Sequence, residues 1–541
     1  MGDVFEGYQD SPTGAAGGRA ADEMFDGEGR PRPEWQALAA TLADLPAAEL
    51  HARADQLAST FLDRGVTFDY AGEERPFPLD VVPRIIDAAQ WARVEKGVAQ
   101  RVRVLEAFLA DVYGPMQVVE DGVVPRRVIT SSSHFHRAAV GVEVAGGVRI
   151  HVAGIDLVRD EHGDFRVLED NVRVPSGVSY VLENRQALTQ VLPEALQAHR
   201  VQPVADYPQN LLTALRAAAP SGIDDPVVVV LTPGVYNSAY FEHSLLARAM
   251  GVELVEGRDL VCRGNRVYMR TTSGDRRVDV VYRRVDDDFL DPLHFRRDSV
   301  LGCAGILNAA RAGGVSIANA VGNGVADDKL VYTYVPELTK YYLGEELVLD
   351  NVPTYRFEIP DERAEAMDRL GELVVKPVDG SGGKGLVVCP DASPEQVEDL
   401  RRRVLADPRG WIAQPVVALS TVPTLAGTQM RPRHVDLRPF AVNDGRSVRV
   451  LRGGLTRVAL REGSLVVNSS QGGGSKDTWV LAGPDTVADP VPDPVPVPAP
   501  AAPSPAEQHP VTDPGPGAGS DQAQQQQQSC ERTTDHATRE G

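Results

Sequence analysis

The most informative part of this chain of 541 residues is the stretch Lys376-Pro377-Val378-Asp379-Gly380-Ser381-Gly382-Gly383-Lys384-Gly385. It lies between two short apolar runs, Leu373-Val374-Val375 and Leu386-Val387-Val388, which predict a strand, a glycine loop and a second strand. The glycine spacing matches a dinucleotide-binding fingerprint, but that fold requires a helix after the loop, and here β-branched residues resume at once. We therefore reject a dinucleotide fold and predict a β-hairpin with a glycine-rich tip.

Two interpretations of this hairpin remain open. Glycines at the tip allow backbone N–H groups to close over phosphates, and Lys376 and Lys384 would supply positive charge. These features predict a lid over a nucleoside triphosphate. The alternative is an ordinary glycine-rich turn, and the motif by itself does not separate the two.

Composition narrows the classes of partner. The formal net charge of -21 and the isoelectric point near 5.0 oppose binding to nucleic acid or to an anionic membrane surface, because both carry negative charge. The four cysteines form no C-x-x-C pair, so neither a disulfide framework nor a structural zinc site is predicted. The acidic N-terminus has no apolar signal region, and no apolar run approaches the roughly 18 residues of a membrane span. We expect a cytoplasmic protein whose partners are small molecules or proteins of unknown identity.

Composition also predicts the limits of the folded body. Residues 1–30 are rich in Gly, Ala and acidic residues and predict a flexible N-terminal arm. Residues 31–125 predict a helical section, in which Leu79 to Val112, including Ile85 and Ile86, carries apolar residues at helical spacing. Residues 483–541 are rich in Pro and Gln and predict a disordered tail.

The middle of the chain predicts sheets. Val148 to Val158 and Phe165 to Asn171 predict two strands joined by a turn, within a section that we bound at 126–205. Residues 206–324 contain the βαβ pattern of a parallel sheet, with a strand at Val227 to Leu231, and residues 325–482 predict an α+β section that bears the glycine hairpin. The predicted fold class is therefore mixed, α/β and α+β.

Asp156, Glu169 and Asn171 are a second informative constellation. Residues 169 and 171 project from the same face of a strand, and the neighbouring strand can place Asp156 beside them. Two carboxylates and an amide oxygen are hard ligands of the kind that Mg²⁺ prefers. The alternative is a set of solvated strand side chains.

The chain resembles the circularly permuted ATP-grasp family, type 2, and more distantly glutathionylspermidine synthetase. In ordinary ATP-grasp ligases the lysine and glycine lid precede the acid-acid-asparagine set, whereas here that set comes first. The segments that carry the resemblance are Val167 to Gly177, Asp327-Asp328-Lys329-Leu330, Val375-Lys376-Pro377 with its lid, and Asn468 to Trp479. They span roughly Arg137 to Val480. The resemblance implies a permuted ATP-grasp fold with a pre-ATP-grasp-like parallel sheet unit at 206–324.

The resemblance also implies roles for individual residues. Asp156, Glu169 and Asn171 would bind Mg²⁺, and Lys329 and Lys376 would contact the phosphates of ATP. The implied nucleotide-binding residues are Lys329, Lys376, Gly380, Ser381, Gly382, Gly383, Lys384, Gly385, Gln414 and Val416, of which Gln414 opens the stretch that meets adenine. The glycine-rich segment from Asn468 to Trp479, with Lys476, would form a backbone nest for an anionic group, the alternative being a surface loop.

Two arginines are candidate catalytic residues. Arg283 ends a predicted buried strand, where an open sheet places ligands, and it could hold a substrate carboxylate or the transferring phosphoryl group. An internal salt bridge with Asp286 to Asp288 is the competing interpretation. Arg438 alternates with Asp436 on one strand face, and the resemblance places both near the phosphates, although a structural ion pair between them is also open.

We therefore expect an ATP- and Mg²⁺-dependent, ADP-forming carbon–nitrogen ligase. A small-molecule or peptide carboxylate would be activated as an acyl phosphate and then react with an amine. The substrate would be a peptide or resemble an amino acid. The alternative is a catalytically silent nucleotide-binding protein with a regulatory or scaffold role.

Overall fold

The computed structural model describes residues 3–9, 20–70, 73–380, 385–465, 467 and 472–483. The lid residues Ser381, Gly382, Gly383 and Lys384, the segment from Asn468 to Gln471, and the predicted tail beyond residue 483 lie outside these ranges. No helix within the described ranges is both long and apolar enough to cross a membrane. Single-turn 3-10 helices cover Asp3–Phe5, Pro33–Trp35, Arg137–Ala139, Ala145–Gly147, Gly257–Asp259, Asn323–Ala326, Leu370–Glu372, Cys389–Asp391 and Pro408–Gly410.

The first section is mainly helical, as predicted. Its elements are α1 (Gln36–Asp44), α2 (Ala47–Asp63), β1 (Thr67–Tyr70), β2 (Glu73–Pro76), β3 (Arg84–Ile86), α3 (Ala88–Val112), α4 (Gln117–Glu120) and α5 (Arg126–Thr130). Ile85 and Ile86 belong to strand β3 rather than to the predicted helix, because β3 pairs in parallel with Thr478–Val480. The helix begins after Asp87, whose carboxylate accepts hydrogen bonds from the N–H groups of Ala89 and Gln90.

The predicted flexible N-terminal arm is wrong for the residues that the structure describes. Five apolar side chains from this region are buried against α1, α2 and the sheet that follows, namely Val4, Phe5, Tyr8, Met24 and Phe25. Burial of aromatic and thioether side chains in this core offsets the low apolar content on which the prediction rested. The described parts of this segment are therefore packed into the fold.

A buried ion pair fixes the same segment. Arg84, fully buried in β3, donates to Glu23 from Nε over 2.8 Å and from Nη2 over 2.5 Å. Its Nη1 donates to the main-chain carbonyl of Asp436 over 2.9 Å. Burial of an unpaired guanidinium would destabilise the folded chain, so Arg84 needs the negative charge of Glu23 beside it.

Substitution of Glu23 by glutamine is expected to lower the free energy of unfolding by about 3 kcal/mol. The buried charge of Arg84 would lose its compensating carboxylate. Urea denaturation measures the effect, and Glu28→Gln, which removes an exposed ion pair with Arg30, is the matched control. A Glu23 variant that unfolds at the wild-type urea concentration would contradict this assignment.

The same carboxylate contributes an acid-sensitive part of the stability. Burial opposes the ionisation of Glu23, but the charges of Arg159 and Arg84 outweigh burial and lower its pKa from 4.5 to about 2. The unfolded chain binds this proton more tightly. Its contribution is therefore present above pH 4.5 and is lost as the pH falls toward about 2.

The second section contains the predicted hairpin and parallel sheet. Its elements are β4 (Val152–Arg159), β5 (Phe165–Asn171), α6 (Val178–Val191), α7 (Pro193–Ala198), α8 (Tyr207–Ala217), β6 (Val228–Leu231), α9 (Tyr240–Met250), β7 (Glu253–Val255), β8 (Leu260–Arg263), β9 (Arg266–Thr271), β10 (Gly274–Val278), β11 (Val280–Arg283), α10 (Asp287–Leu290), α11 (Ile306–Arg311) and β12 (Ser316–Ala318). The order β12-β11-β6-β7 is parallel throughout, and β10-β9-β8 form an antiparallel sheet beside it. All four residues of β6 are buried, as expected for a strand covered on both faces.

The third section completes two sheets that hold the candidate site. Its elements are α12 (Lys329–Tyr332), α13 (Val335–Leu343), β13 (Tyr355–Arg356), α14 (Pro360–Asp368), β14 (Leu373–Pro377), β15 (Val387–Val388), α15 (Pro394–Ala406), β16 (Trp411–Pro415), β17 (Thr421–Ala426), β18 (Gln429–Asn443), β19 (Val448–Val458), β20 (Gly474–Lys476) and β21 (Thr478–Val480). Strands β20-β19-β18-β4-β5, with β17 also paired to β18, form a six-stranded antiparallel sheet. Strands β13-β16-β14-β15 form a four-stranded sheet.

The glycine hairpin therefore has the predicted form on either side of its tip. Strands β14 and β15 pair antiparallel, with Val374 opposite Val388 and Val375 opposite Val387. Gly385, the last residue of the quoted stretch, has a φ of 73°, which glycine adopts without strain. The long helix α3 packs its buried apolar face into the same core as β4, β18 and α13, and so supports the six-stranded sheet from behind.

Candidate active site

A cavity of about 180 Å³ lies between the six-stranded and the four-stranded sheets. It brings together side chains that are far apart in the sequence. Its lining residues are Asp156, Leu168, Glu169, Lys329, Val374, Lys376, Pro377, Gly380, Leu386, Val388, Gln414, Pro415, Val416, Val417, Leu419, Asp436, Arg457, Leu465 and Val467. One wall carries carboxylates, the opposite wall carries lysines, and the remainder is mostly apolar.

The carboxylates lie on the β4–β5 hairpin. The strand register places Asp156 opposite Glu169 and Gly154 opposite Asn171, and a bulge follows the Asp156–Glu169 pair. The three predicted side chains therefore lie on the same face of neighbouring strands. A Cβ atom added at Gly154 would come within 3.1 Å of the Cδ of Arg438, so the glycine leaves room for that arginine to cross the sheet face.

Two arginines bind the carboxylate of Asp156, which is fully buried. Arg438 donates to both of its oxygens, over 2.8 Å in the bond from Nη2, and Arg457 donates from Nη2 over 2.7 Å. Burial alone would raise the pKa of Asp156, but the charges of Arg438 and Arg457 hold it below its ordinary value. Asp156 is therefore an ionised carboxylate whose charge is shared by two guanidinium groups.

Sequence reasoning missed Arg457, which pairs with Asp436 in place of Arg438, the partner in one of the two interpretations left open. Asp436 lies opposite Arg457 in the β18–β19 register, and Arg457 Nε donates to its two oxygens over 2.9 and 3.0 Å. Arg438, which alternates with Asp436 on one strand, turns to Asp156 instead. An acid and an arginine directly opposite each other on paired strands indicate an ion pair, but this pair could be predicted only if the register of β18 and β19 were known.

The two predicted lysines lie across the cavity from the carboxylates. Lys329, the first residue of α12, donates from Nζ to the carbonyl of Gly380 over 2.5 Å and lies 3.3 Å from Glu169. Lys376 donates from Nζ to Gln414 Oε1 over 2.6 Å. Lys329 thus connects the base of the glycine hairpin to the carboxylate wall.

The pKa of Lys376 is lowered from 10.5 to about 8, chiefly because the ammonium is removed from water. The charge of Lys329 acts in the same direction, while the carboxylates of Glu169 and Asp156 oppose it. Because the ammonium form of Lys376 is destabilised by burial, an anionic ligand in the cavity would stabilise it.

The remainder of the lining is mostly apolar. Leu168, Val388, Val417 and Leu419 are among the side chains that form it. Val416 borders the same cavity. The side chain of Gln414 accepts a hydrogen bond from Lys376 and donates to Thr354 Oγ1 over 2.9 Å, so it positions the lysine.

The fit of these residues to a divalent cation is partial in this conformation. Within the described ranges, no group of three His, Cys, Asp or Glu side chains is arranged to hold a metal ion. Glu169 faces the cavity and is one quarter exposed, and Asn171 Nδ2 is buried with no hydrogen-bond partner among the described residues. Since the amide oxygen and nitrogen are interchangeable in assignment, Asn171 fits the role of an oxygen ligand. Asp156 fits this role only if Arg438 or Arg457 releases one of the carboxylate oxygens of Asp156.

Several predicted residues lie elsewhere. Arg283 is fully buried outside the cavity, where it donates to the carbonyls of Asn319, Val285 and Ala320 and pairs with Asp287 over 2.9 Å. This arrangement corrects the expectation that Arg283 faces a ligand and matches the competing salt-bridge interpretation. Gly385 is not among the lining residues, and Ser381, Gly382, Gly383 and Lys384 lie outside the described ranges.

Lys476, which the sequence placed in a glycine-rich anion nest, does not face a ligand, and Asn468 to Gln471 of that nest lie outside the described residues. Lys476 is fully buried in β20, where its Nζ donates to Asp80 Oδ1 over 2.7 Å and to the carbonyls of Val82 and Pro423. Three acceptors satisfy the three N–H groups of the ammonium. The lysine therefore ties the end of the sheet to the segment before β3.

Comparison with known proteins agrees with this architecture. Residues 83–459 match the family model described as circularly permuted ATP-grasp type 2. An uncharacterised protein of Mycobacterium tuberculosis is 61% identical over 479 residues, which cover 88% of this chain and 86% of that protein. A Frankia casuarinae protein named putative glutamate–cysteine ligase 2-2 is 47% identical over 88% of this chain, which spans about half (54%) of the Frankia protein.

A solved structure shares the fold at low sequence identity. A glutathione synthetase-like effector from Globodera pallida, in its apo form, aligns with a TM-score of 0.53 over 81% of this chain and 98% of that chain. The identity is 11%, so the likeness concerns the fold alone.

Proposed function

Because the chain belongs to the circularly permuted ATP-grasp type 2 family, we propose that it is an ATP- and Mg²⁺-dependent ligase that joins a carboxylate to an amine. The observation that carries this proposal is the cavity between the two sheets, in which Lys329 and Lys376 face Asp156 and Glu169. The name of the Frankia relative supports a substrate that is a peptide or resembles an amino acid.

When bound, ATP would supply the activating phosphoryl group and Mg²⁺ would supply divalent positive charge. Glu169 and Asn171, with Asp156, would hold the cation, and Lys329 and Lys376 would hold the phosphates. The apolar wall, which includes Leu168 and Val416, would receive the purine. Four cationic and three anionic side chains lie at or against the cavity among the described residues, and the excess of positive charge favours an anionic ligand.

In the proposed reaction the substrate carboxylate attacks the γ-phosphorus, and the acyl phosphate that forms reacts with the amine. The guanidinium of Arg438 lies against the carboxylate wall, since it contacts Asp156 and lies 4.0 Å from Glu169. It could therefore stabilise charge on the transferring group or on the substrate carboxylate. Arg283 takes no part in the proposed chemistry, because hydrogen bonds within the protein already occupy its guanidinium.

The decisive experiment measures ADP release that depends on a carboxylate. We expect ADP release when the chain is incubated with ATP, Mg²⁺ and amino-acid or short-peptide acids, and a hydroxamate when hydroxylamine replaces the amine. Fractionated cell extract with mass spectrometry for a condensation product would identify natural substrates. Nucleotide binding without ADP release across the panel would favour a catalytically silent protein, and a stable phosphorylated product would indicate phosphoryl transfer to a hydroxyl group.

A further inference from the structure

Asp156 has a contact pattern that differs from that of the other candidate cation ligands. Both of its oxygens accept hydrogen bonds from arginine, and the residue is fully buried. Glu169, by contrast, is partly exposed to the cavity and has Lys329 at 3.3 Å. The fully buried carboxylate of the predicted set is therefore the one least available to a free cation.

The two arginines are held from several sides. Arg438 Nη1 donates to the carbonyl of Ser176 over 3.2 Å, and Arg457 is shared between Asp156 and Asp436. Asp436 is buried, and burial raises its pKa, although Arg457 opposes that shift. Because buried charges of opposite sign compensate one another, removing either arginine from Asp156 is costly unless another anion replaces the carboxylate as its partner.

The charges around Asp156 also disfavour the binding of a free cation. Arg438, Arg457, Lys329 and Lys376 face Asp156, Glu169 and Asp436, so a bare divalent cation would enter a region that already carries excess positive charge. A polyphosphate brings the negative charge that this region lacks. Its oxygens are also strong acceptors for guanidinium groups.

From these contacts we propose that Arg438 and Arg457 form a latch on Asp156 that excludes a free divalent cation and admits it only together with a nucleotide. Phosphate oxygens take over one or both guanidinium groups, and the freed carboxylate oxygen then becomes a ligand. Arg457 is accordingly a positioning residue, which acts on the cation through Asp156. This inference rests on the proposed function, because it assumes that the cavity receives nucleotide phosphates.

The test uses Mn²⁺ as the probe and requires no turnover. The electron paramagnetic resonance signal of free Mn²⁺ is followed while the full chain is added, first without nucleotide and then with a non-hydrolysable ATP analogue. For the wild-type chain we expect saturable Mn²⁺ binding only with the analogue. Arg438→Gln should bind Mn²⁺ without nucleotide at least about tenfold more tightly than the wild type, while its affinity for the analogue falls.

Arg452→Gln is the matched control, because it removes the same charge from an exposed position on β19 outside the cavity and should behave as the wild type. Arg457→Gln provides a second variant with the same expectation, and circular dichroism shows whether each variant is folded. Wild-type Mn²⁺ binding that is equally tight with and without the analogue overturns the latch but leaves the proposed function intact. So does a folded Arg438→Gln chain whose Mn²⁺ affinity is unchanged. Failure of the wild type to bind the analogue at all, even with Mn²⁺, overturns the proposed function and the latch together.

Discussion

Substitution of Glu169 by alanine is expected to lower turnover on the order of a thousandfold while leaving the fold intact. Glu169 is the partly exposed carboxylate of the predicted set, and it is not bonded to either latch arginine within 3.5 Å. A cation that neutralises phosphate charge would lose a ligand that no neighbouring side chain replaces, because Asp156 is already engaged by Arg438 and Arg457.

The fold should tolerate this change. The side chain of Glu169 is one quarter exposed, and its nearest partner, Lys329, retains its bond to the carbonyl of Gly380. Lys329 and Lys376 lose one neighbouring negative charge, but Asp156 still favours the charged form of Lys376, so the free energy of unfolding should change by no more than about 1 kcal/mol. Urea denaturation of the variant checks this point separately from activity.

The measurement is carboxylate-dependent ADP release, together with the affinity for an ATP analogue in the presence of Mn²⁺. Glu161→Ala is the matched control, because Glu161 lies on the exposed turn of the same hairpin and faces His162 rather than the cavity. We expect the control to retain wild-type values. A folded Glu169→Ala chain with wild-type turnover would refute the assignment of the cation to this face of the sheet.

The parts of the site that sequence reasoning located are those set by local pattern. The two-residue alternation of Glu169 and Asn171 fixed their common face, and the apolar runs around the glycines predicted strands β14 and β15. These features need only the neighbouring residues. The resemblance then supplied Lys329, whose distance from Glu169 of 3.3 Å no local pattern could predict.

The parts that were missed depend on pairings between distant segments. Arg457 meets Asp156 only because β19 and β4 both flank β18, so its role follows from the order of strands rather than from its neighbours. Glu23 and Arg84 are 61 residues apart, and neither stretch shows that the other will bury it. The prediction for Arg283 was wrong for the opposite reason. The end of a buried strand is a common position for a ligand contact, but here the guanidinium of Arg283 already donates its hydrogen bonds to main-chain carbonyls.

Substitution of Lys376 by methionine is expected to weaken binding of an ATP analogue about a hundredfold, because it removes a charge-assisted bond to phosphate and leaves a side chain of similar length. The fold should not be weakened. The pKa of Lys376 falls from 10.5 to about 8 on folding, so the unfolded chain binds the proton more tightly and the buried ammonium costs stability below about pH 8. Methionine removes that cost.

The pH profile of binding identifies the lysine itself. In the wild-type chain the ammonium of Lys376 loses its proton as the pH rises through about 8, so affinity for the analogue should decrease above that pH, with proton uptake on binding. This decrease should be missing in Lys376→Met. Lys340→Met, which removes an exposed charge that faces Glu346, should retain both the affinity and the pH profile. If Lys376→Met binds the analogue as tightly as the wild type at pH 7, the phosphates do not lie on this wall of the cavity, and the orientation proposed for the nucleotide is wrong.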